Sequence, residues 1–312
     1  LLRIFGGSPK PFPMNPILLT EPGNVLEPSE LILNPDGSVY HLALRPEQLG
    51  DLVLVVGDPG RVERISRHFD RVEHRSGNRE FVAHTGLYRS VRITALATGI
   101  GTDNIDIVLT ELDALVNIDL EKRTPKKEHK ALTVVRMGTC GALQEDVPVD
   151  ELVVSHSAIG LDNVLHYYAH EQTDAELRIL QAFLAHTEWT DNLPVPYIAS
   201  GDAQLVDRLG HGNHVGLTAT AGGFYGPQGR QLRAIPSVGD LNEKFTSFRH
   251  EELRLLNFEM ETSAIYGLCG LLGHRACTVC TVVANRLRKE YSQDHHAAVD
   301  RMIAQVLERL VG

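Results

Sequence analysis

Six short apolar runs set the outline of this chain. They are LVLVV (52–56), VRITALA (91–97), LTVVRM (132–137), LVVSHSA (152–158), HVGLTAT (214–220) and the stretch from Ala276 to Ala284. Most are apolar at successive positions, which predicts strands covered on both faces. Between them the spacing changes to that of helices. Ile105, Val108, Leu109, Leu112, Leu115 and Val116 form one apolar stripe, and Leu177, Leu180, Phe183 and Leu184 a second within 174–186. Met260, Ala264, Leu268, Leu271 and Leu272 form a third, and Val299, Met302, Ile303, Val306 and Leu310 close the chain with a fourth. Strands alternating with helices predict an α/β fold with a central, helix-covered sheet. No internal repeat or clean linker interrupts residues 38–312, so they read as one domain. Residues 1–37, rich in Pro, Gly and Asn, read as an irregular N-terminal arm.

Composition narrows the partners. A net charge of -10 disfavours a general nucleic-acid binder, which needs a basic excess. With 43% hydrophobic and 22% charged residues, the 312-residue chain can bury a sizeable core and is not of disordered type. There is no run of 18 apolar residues to span a membrane, and LLRIFGGSPKPFP lacks the apolar centre of a signal peptide. The expected location is cytoplasmic, with Met14 as the expected start of translation. The four cysteines are too sparse for a disulfide scaffold. Cys277 and Cys280 form a CxxC that reads either as a redox or zinc pair or as two small apolar residues of a buried strand. The charged link EKRTPKKEHK (121–130) reads either as an anion patch or as a solvated loop.

Ligands of open α/β sheets bind at the carboxyl ends of the strands. Three Gly-rich segments are expected there: GDPGR with Arg61, TGIG (98–101), and GTCG (138–141) preceded by Arg136. Glycine turns let backbone N–H groups approach an anion, and arginine adds a fork that fits phosphate oxygens. NFEMET (257–262) carries two carboxylates two residues apart, read as a helix start whose carboxylates point to opposite sides. FYGPQGR (224–230) joins aromatics to an amide and a guanidinium, the means of stacking on a nucleobase and bonding its edge. GxSxG, a Walker loop and a full GxGxxG are absent. The HH at 295–296 and the HGNH at 211–214 lack partners at zinc spacing.

The ordered set VVGDPGR, VVRMGTCG and FEMET resembles the nucleoside phosphorylase-I family over roughly residues 38–312. FYGPQGR and the final VVANR (282–286) resemble its uridine-type branch, and Asn285 stands where purine-type relatives place an aspartate. The resemblance implies a single-domain α/β/α sandwich around a twisted mixed central β-sheet. It also implies reversible phosphorolysis of uridine to uracil and ribose 1-phosphate, with phosphate as co-substrate and no cofactor. Phosphate would be held by Gly57, Arg61, Arg136 and Thr139, with Arg79 supplied by a neighbouring subunit. Ribose would be held by Met260 and Glu261, with His41 from the neighbour. Phe224 would pack on the base while Gln228 and Arg230 bond its edge, with Arg286 bracing Arg230 and His166 further out. Arg136, Arg230 and Glu261 would carry the catalysis. Glu80 resembles a carboxylate that holds a monovalent cation between subunits, although Asn104 stands where its usual hydroxyl partner would be. The implied assembly is a dimer at least, and a trimer of dimers in the family pattern. The segment from Leu287 to His296 is shorter than the family's flap, and the 121–130 link is longer. A purine nucleoside phosphorylase, a nucleosidase using water, and a non-catalytic nucleoside-binding protein remain the alternatives.

Overall fold

The computed structural model describes residues 23–312, so Met14 and most of the arm lie outside the described residues. The chain runs β1 (Leu52–Val56), α1 (Pro59–Ser66), β2 (Arg71–Asn78), β3 (Phe81–Tyr88), β4 (Val91–Ala97) and α2 (Thr102–Asn117). There follow β5 (Ile118–Asp119), β6 (Thr124–Pro125), β7 (Thr133–Ala142), β8 (Leu152–Gly160), α3 (Asp174–Thr187) and β9 (Tyr197–Ser200). The last third holds α4 (Ala203–Gly210), β10 (His214–Thr220), α5 (Leu241–Ser247), β11 (Arg249–His250) and β12 (Leu253–Glu259). It ends with α6 (Thr262–Leu271), β13 (Arg275–Asn285), β14 (Glu290–Tyr291) and α7 (His295–Val311).

All six apolar runs form strands, and they lie side by side in one mixed sheet of twelve strands. Its spine runs β11-β12-β10-β8-β13-β7-β1-β4-β3-β2. β1 is parallel to β4 and β7, while β13 is parallel to β7 and antiparallel to β8. A further pairing closes part of the sheet on itself: Asn257 and Phe258 of β12 pair with Ala142 and Gly141 of β7. Strands β7, β13, β8, β10 and β12 therefore form a ring, and β1 to β4 extend from it as an open sheet. Cys140, Ala142, Val147, Val153, Leu256, Cys280 and Val282, nearly all from ring strands, make one small apolar cluster.

Helices cover both faces, as expected for an α/β/α sandwich. On one face α2 and α6 pack on Val53, Val55, Leu96 and Val134. On the other, α1, α4 and α7 pack on Leu54, Val56, Ile93, Val135 and Met137. Each fully buried Leu or Ile contributes about 1.5–3 kcal/mol. The stripe of α2 is buried as its spacing predicts. In α3 the stripe is rotated: Leu177 is exposed, and Ile179 joins Leu180 and Phe183 inside. A capping box between Thr173 and Glu176 fixes where α3 begins.

Several sequence expectations change. GTCG is not a loop after a strand, because β7 continues through Ala142 while β13 pairs with it along its whole length. NFEMET is not a helix start: β12 ends at Glu259 and α6 begins at Thr262, leaving Met260 and Glu261 as the link. The β2–β3 hairpin and β9 have no counterpart among the six runs. Residues 23–37 are largely irregular yet partly packed: Leu31 is buried, Leu33 bridges to Val39, and Leu26 bonds to Arg123. The 121–130 link is more than a solvated loop, since Arg123 also donates to the Leu26 carbonyl at 2.8 Å and Lys130 meets Asp51 at 2.6 Å. The CxxC is no redox or metal pair: Cys277 and Cys280 pack into apolar clusters on opposite sides of β13.

Candidate active site

The carboxyl ends of β1, β4 and β12 converge on Arg136, which lies within β7. This guanidinium is buried and folds along its own strand. The space comes from Gly138: a Cβ there would lie 2.5 Å from Arg136 Cζ and 2.9 Å from Nη2, closer than real contacts allow. Thus the first glycine of GTCG makes room for an arginine rather than a turn. Arg136 Nη2 pairs with the Glu261 carboxylate, and Nη1 lies 3.0 Å from Cys280 Sγ and 3.4 Å from Glu259 Oε2. Burial works to lower the Arg136 pKa, but Glu261, Cys280 and Glu259 outweigh it and hold the group firmly cationic. The Cys280 thiol is pushed down: burial opposes this, but a hydrogen bond from Cys140 and the Arg136 charge prevail.

The other two Gly-rich segments meet this centre. In GDPGR, Asp58 caps α1 by accepting the Gly60 N–H at 2.9 Å, which sends Arg61 inward on the first turn. Arg61 donates to the Met137 carbonyl at 3.0 Å, and burial followed by nearby Arg136 pushes its pKa down. A Cβ on Gly57 would meet the Gly99 carbonyl at 3.3 Å, so the first two loops touch. In TGIG, Gly99 and Gly101 have φ of 71° and 100°, and Gly101 N–H donates to Glu261 Oε1 at 2.8 Å. This loop does bind an anion, the chain's own carboxylate. Burial pushes the Glu261 carboxyl up, Arg136 opposes, and the net direction is upward. The two carboxylates of FEMET, expected to diverge, both face Arg136. Met260 between them is half-buried, and Thr139 lies half-buried beside Thr281.

The aromatic–Gln–Arg segment follows β10. The Arg230 guanidinium stacks 3.8 Å over the Phe224 ring, donates to the Phe224 carbonyl at 2.6 Å and bonds the Gln228 side-chain oxygen. Gln228 is buried, whereas Phe224 is half exposed. Arg286 holds the Gln228 main-chain carbonyl rather than Arg230. Burial and then the Arg230 charge push Arg286 down to about 10. The clamp lies over β7: a Cβ on Gly141 would come within 3.8 Å of Arg230 Nη2. Asn285 is engaged elsewhere, donating to the Gln144 and Val147 carbonyls at 2.8 and 2.9 Å and accepting from Leu287 and Arg288 N–H.

The His41 and Arg79 side chains make no bond to this centre among the described residues. Asn78 donates to the His41 carbonyl at 3.0 Å, and Arg79 occupies the β2–β3 turn with φ 54°. His41 Nδ1 lies 2.7 Å from Glu111. Among the described residues, neither side chain bonds to Arg61, Arg136, Glu261, Gln228 or Arg230. Glu80 accepts from Asn104 at 3.5 Å beside Gly99. His166 is exposed, 2.8 Å from the Val195 carbonyl. Asp113, His129 and His274 offer metal-ligand atoms within 4.8 Å of one another. However, the Leu132 N–H points at His274 Nδ1 at 3.2 Å, so the neutral ring keeps its proton on Nε2, the atom facing Asp113 at 3.3 Å. Metal ligation by Nε2 would turn an Nδ1–H against that N–H, so the cluster is not built for a metal.

Glu259, Cys280 and the role of Gly138 were missed from the sequence. Their meaning depends on which strands neighbour β7. The site thus combines an arginine–dicarboxylate centre on a ring strand with a guanidinium stacked on an aromatic ring. The sequence model of the phosphorylase superfamily matches residues 51–312, and the chain belongs to this family. It is 31% identical over 264 residues to a uridine phosphorylase of Thermococcus kodakarensis, covering 83% of this chain and 81% of that one. A DeoD-type purine nucleoside phosphorylase of Colwellia psychrerythraea is 26% identical, over 78% and 85% of the two chains. Among solved structures, a Trypanosoma brucei nucleoside phosphorylase, described as showing uridine phosphorylase activity, superposes with a TM-score of 0.81 at 30% identity. That match covers 90% of this chain and 99% of the other.

Proposed function

We propose that this chain is a uridine phosphorylase, a pentosyltransferase that reversibly converts uridine and phosphate to uracil and ribose 1-phosphate. The observation that carries this reading is the pairing of Gln228 with Arg230 over Phe224, alongside the buried Arg136–Glu261 pair. Uracil presents two carbonyl oxygens and one N–H; Gln228 offers an acceptor and donors, and Arg230 offers donors only. Asn285 supports the same reading, because its amide is committed to main-chain partners and cannot protonate a purine. The uridine phosphorylases among its relatives agree with this.

In this mechanism Arg61, Arg136, Thr139 and the Gly57 backbone hold phosphate below the sugar, while Met260 and Glu261 hold the ribose. Breaking the glycosidic bond builds positive charge on the sugar, as in glycoside hydrolysis, and the phosphate stabilises that charge before attacking it. Holding the nucleophile in place supplies proximity and electrostatic stabilisation together. The departing uracil carries negative charge, which Arg230 and Gln228 receive as donors. His41 and Arg79 make no bond to their own chain's centre among the described residues, which suits sites completed by a second copy, in a dimer at least and a trimer of dimers in the fullest form. A monovalent cation at Glu80 would belong to the same contact. No described helix is long and apolar enough to cross a membrane, and the four free, buried cysteines suit the reducing cytoplasm.

The test is uracil release from uridine with and without phosphate. Phosphate-dependent release is expected, with cytidine and inosine poor substrates. Cytosine sets a donor against Arg230, a mismatch that costs on the order of 10⁴-fold in a site closed to water and less where water enters. Inosine matching uridine would move the chain to the purine branch. Release without phosphate would make it a nucleosidase, and binding without turnover a nucleoside carrier.

A further inference from the structure

We infer that Glu259 is a positioning residue that couples the phosphate and ribose halves of the site; the inference rests on the proposed phosphorolysis. Glu259 ends β12 and is buried. One carboxylate oxygen accepts the Thr220 hydroxyl. The other accepts the N–H groups of Glu261 and Thr262 at 2.9 Å each and lies 3.4 Å from Arg136 Nη1. One side chain thus grips the guanidinium assigned to phosphate and the main chain that presents Glu261 to ribose.

Two of these contacts are an ordinary helix cap, since the first N–H groups of α6 have no partner within the helix. A cap alone does not account for Arg136. That arginine already answers to Glu261, and Glu259 adds a second negative charge on its other nitrogen. An arriving phosphate must share Arg136 with both carboxylates and meets Glu259 as a like charge. Glu259 therefore weakens phosphate in the ground state while fixing the direction in which Arg136 points. Catalysis depends on contacts that are stronger in the transition state than before it, so loosening Arg136 lowers turnover even where phosphate binds better.

Glu259→Gln separates the two roles. The amide oxygen can still accept both N–H groups, and the Thr220 oxygen, which already accepts the Ser263 N–H at 3.0 Å, can take an amide hydrogen as well, so the cap N–H groups stay paired while the charge and the Thr220 donation are lost. Calorimetric titration of the full chain with inorganic phosphate should show affinity rising several-fold in Glu259→Gln. Turnover of uridine at saturation should fall by about tenfold or more. Glu259→Asp keeps the charge but withdraws it; turnover should fall with no gain in phosphate affinity. Thermal unfolding should stay near the wild type in Glu259→Gln, whereas a lower midpoint is expected in Glu259→Asp, where the withdrawn carboxylate leaves buried N–H groups unpaired. Phosphate affinity unchanged or weaker in a folded Glu259→Gln, or turnover unchanged, would reduce Glu259 to a cap and overturn the inference. If the wild type binds phosphate but releases no uracil, the uridine reading fails, and Glu259 is judged on the phosphate titrations alone. A wild type that binds no phosphate overturns both.

Discussion

At the scale of the residue, Gly138 and Arg136 act as one unit. A methyl group on Gly138 would strike the guanidinium, and the buried arginine would have to leave its carboxylates. Gly138→Ala should therefore resemble Arg136→Ala: kcat/KM for phosphorolysis lower by on the order of 10²-fold or more, with the phosphate KM raised. Steady-state kinetics on both variants, with circular dichroism to verify folding, is the check; a fully active Gly138→Ala would show that Arg136 does not need its present pose. The sequence reveals this glycine but not its use. A glycine after an apolar run most often marks a turn, and only the ten-residue pairing with β13 shows that the strand continues. Gln228 and Arg230 were easier to read, since their two-residue spacing within one short segment already sets an amide beside a guanidinium. Gln228→Ala should lower kcat/KM for uridine and narrow the gap to cytidine; an unchanged ratio would remove Gln228 from base recognition.

At the scale of the element, the β2–β3 hairpin was hidden because β2 lies at the sheet edge. Its sequence RVEHRSGN alternates exposed and half-buried positions and carries charges in place of apolar residues. Such charges keep an edge from pairing with other sheets, and they erase the apolar signal that marked the inner strands. Behind the edge, His84 on β3 is buried between Arg75, 2.9 Å from Nε2, and Ser66, 2.8 Å from Nδ1. Burial, then the Arg75 charge, pushes its pKa below the usual histidine value. The folded chain keeps this ring neutral, while the unfolded chain takes up a proton near pH ~6.5. The stability contribution is thus complete above that value and is lost as pH falls through the depressed folded pKa. Urea midpoints measured at pH 7.5 and 5.5 should drop more for the wild type than for His84→Gln. Equal drops would show that other groups govern the acid side.

At the scale of the whole molecule, the alternating runs foretold a helix-covered sheet, and six strands and four helices stand where the spacing put them. The closed ring was not legible, because nothing in the β12 sequence names β7 as its second neighbour. Assembly is a separate question at this scale. If sites are shared, mixing inactive Arg79→Ala with inactive Arg136→Ala subunits should restore part of the activity, since some sites then inherit both arginines. Verified mixed oligomers that stay inactive would place each site within one chain.

The seam between β12 and β7 also bears on how the chain is made. β7 is synthesised well before β12, so a growing chain holds Arg136 while the ribosome has yet to deliver Glu259 and Glu261. A buried arginine without a counter-charge is strongly unfavourable, so the early half cannot settle around it. Contacts between such distant segments also form slowly. The arginine–dicarboxylate centre therefore cannot be complete until β12 is in place, and a chain truncated before Asn257 lacks both the seam and the counter-charges that Arg136 meets.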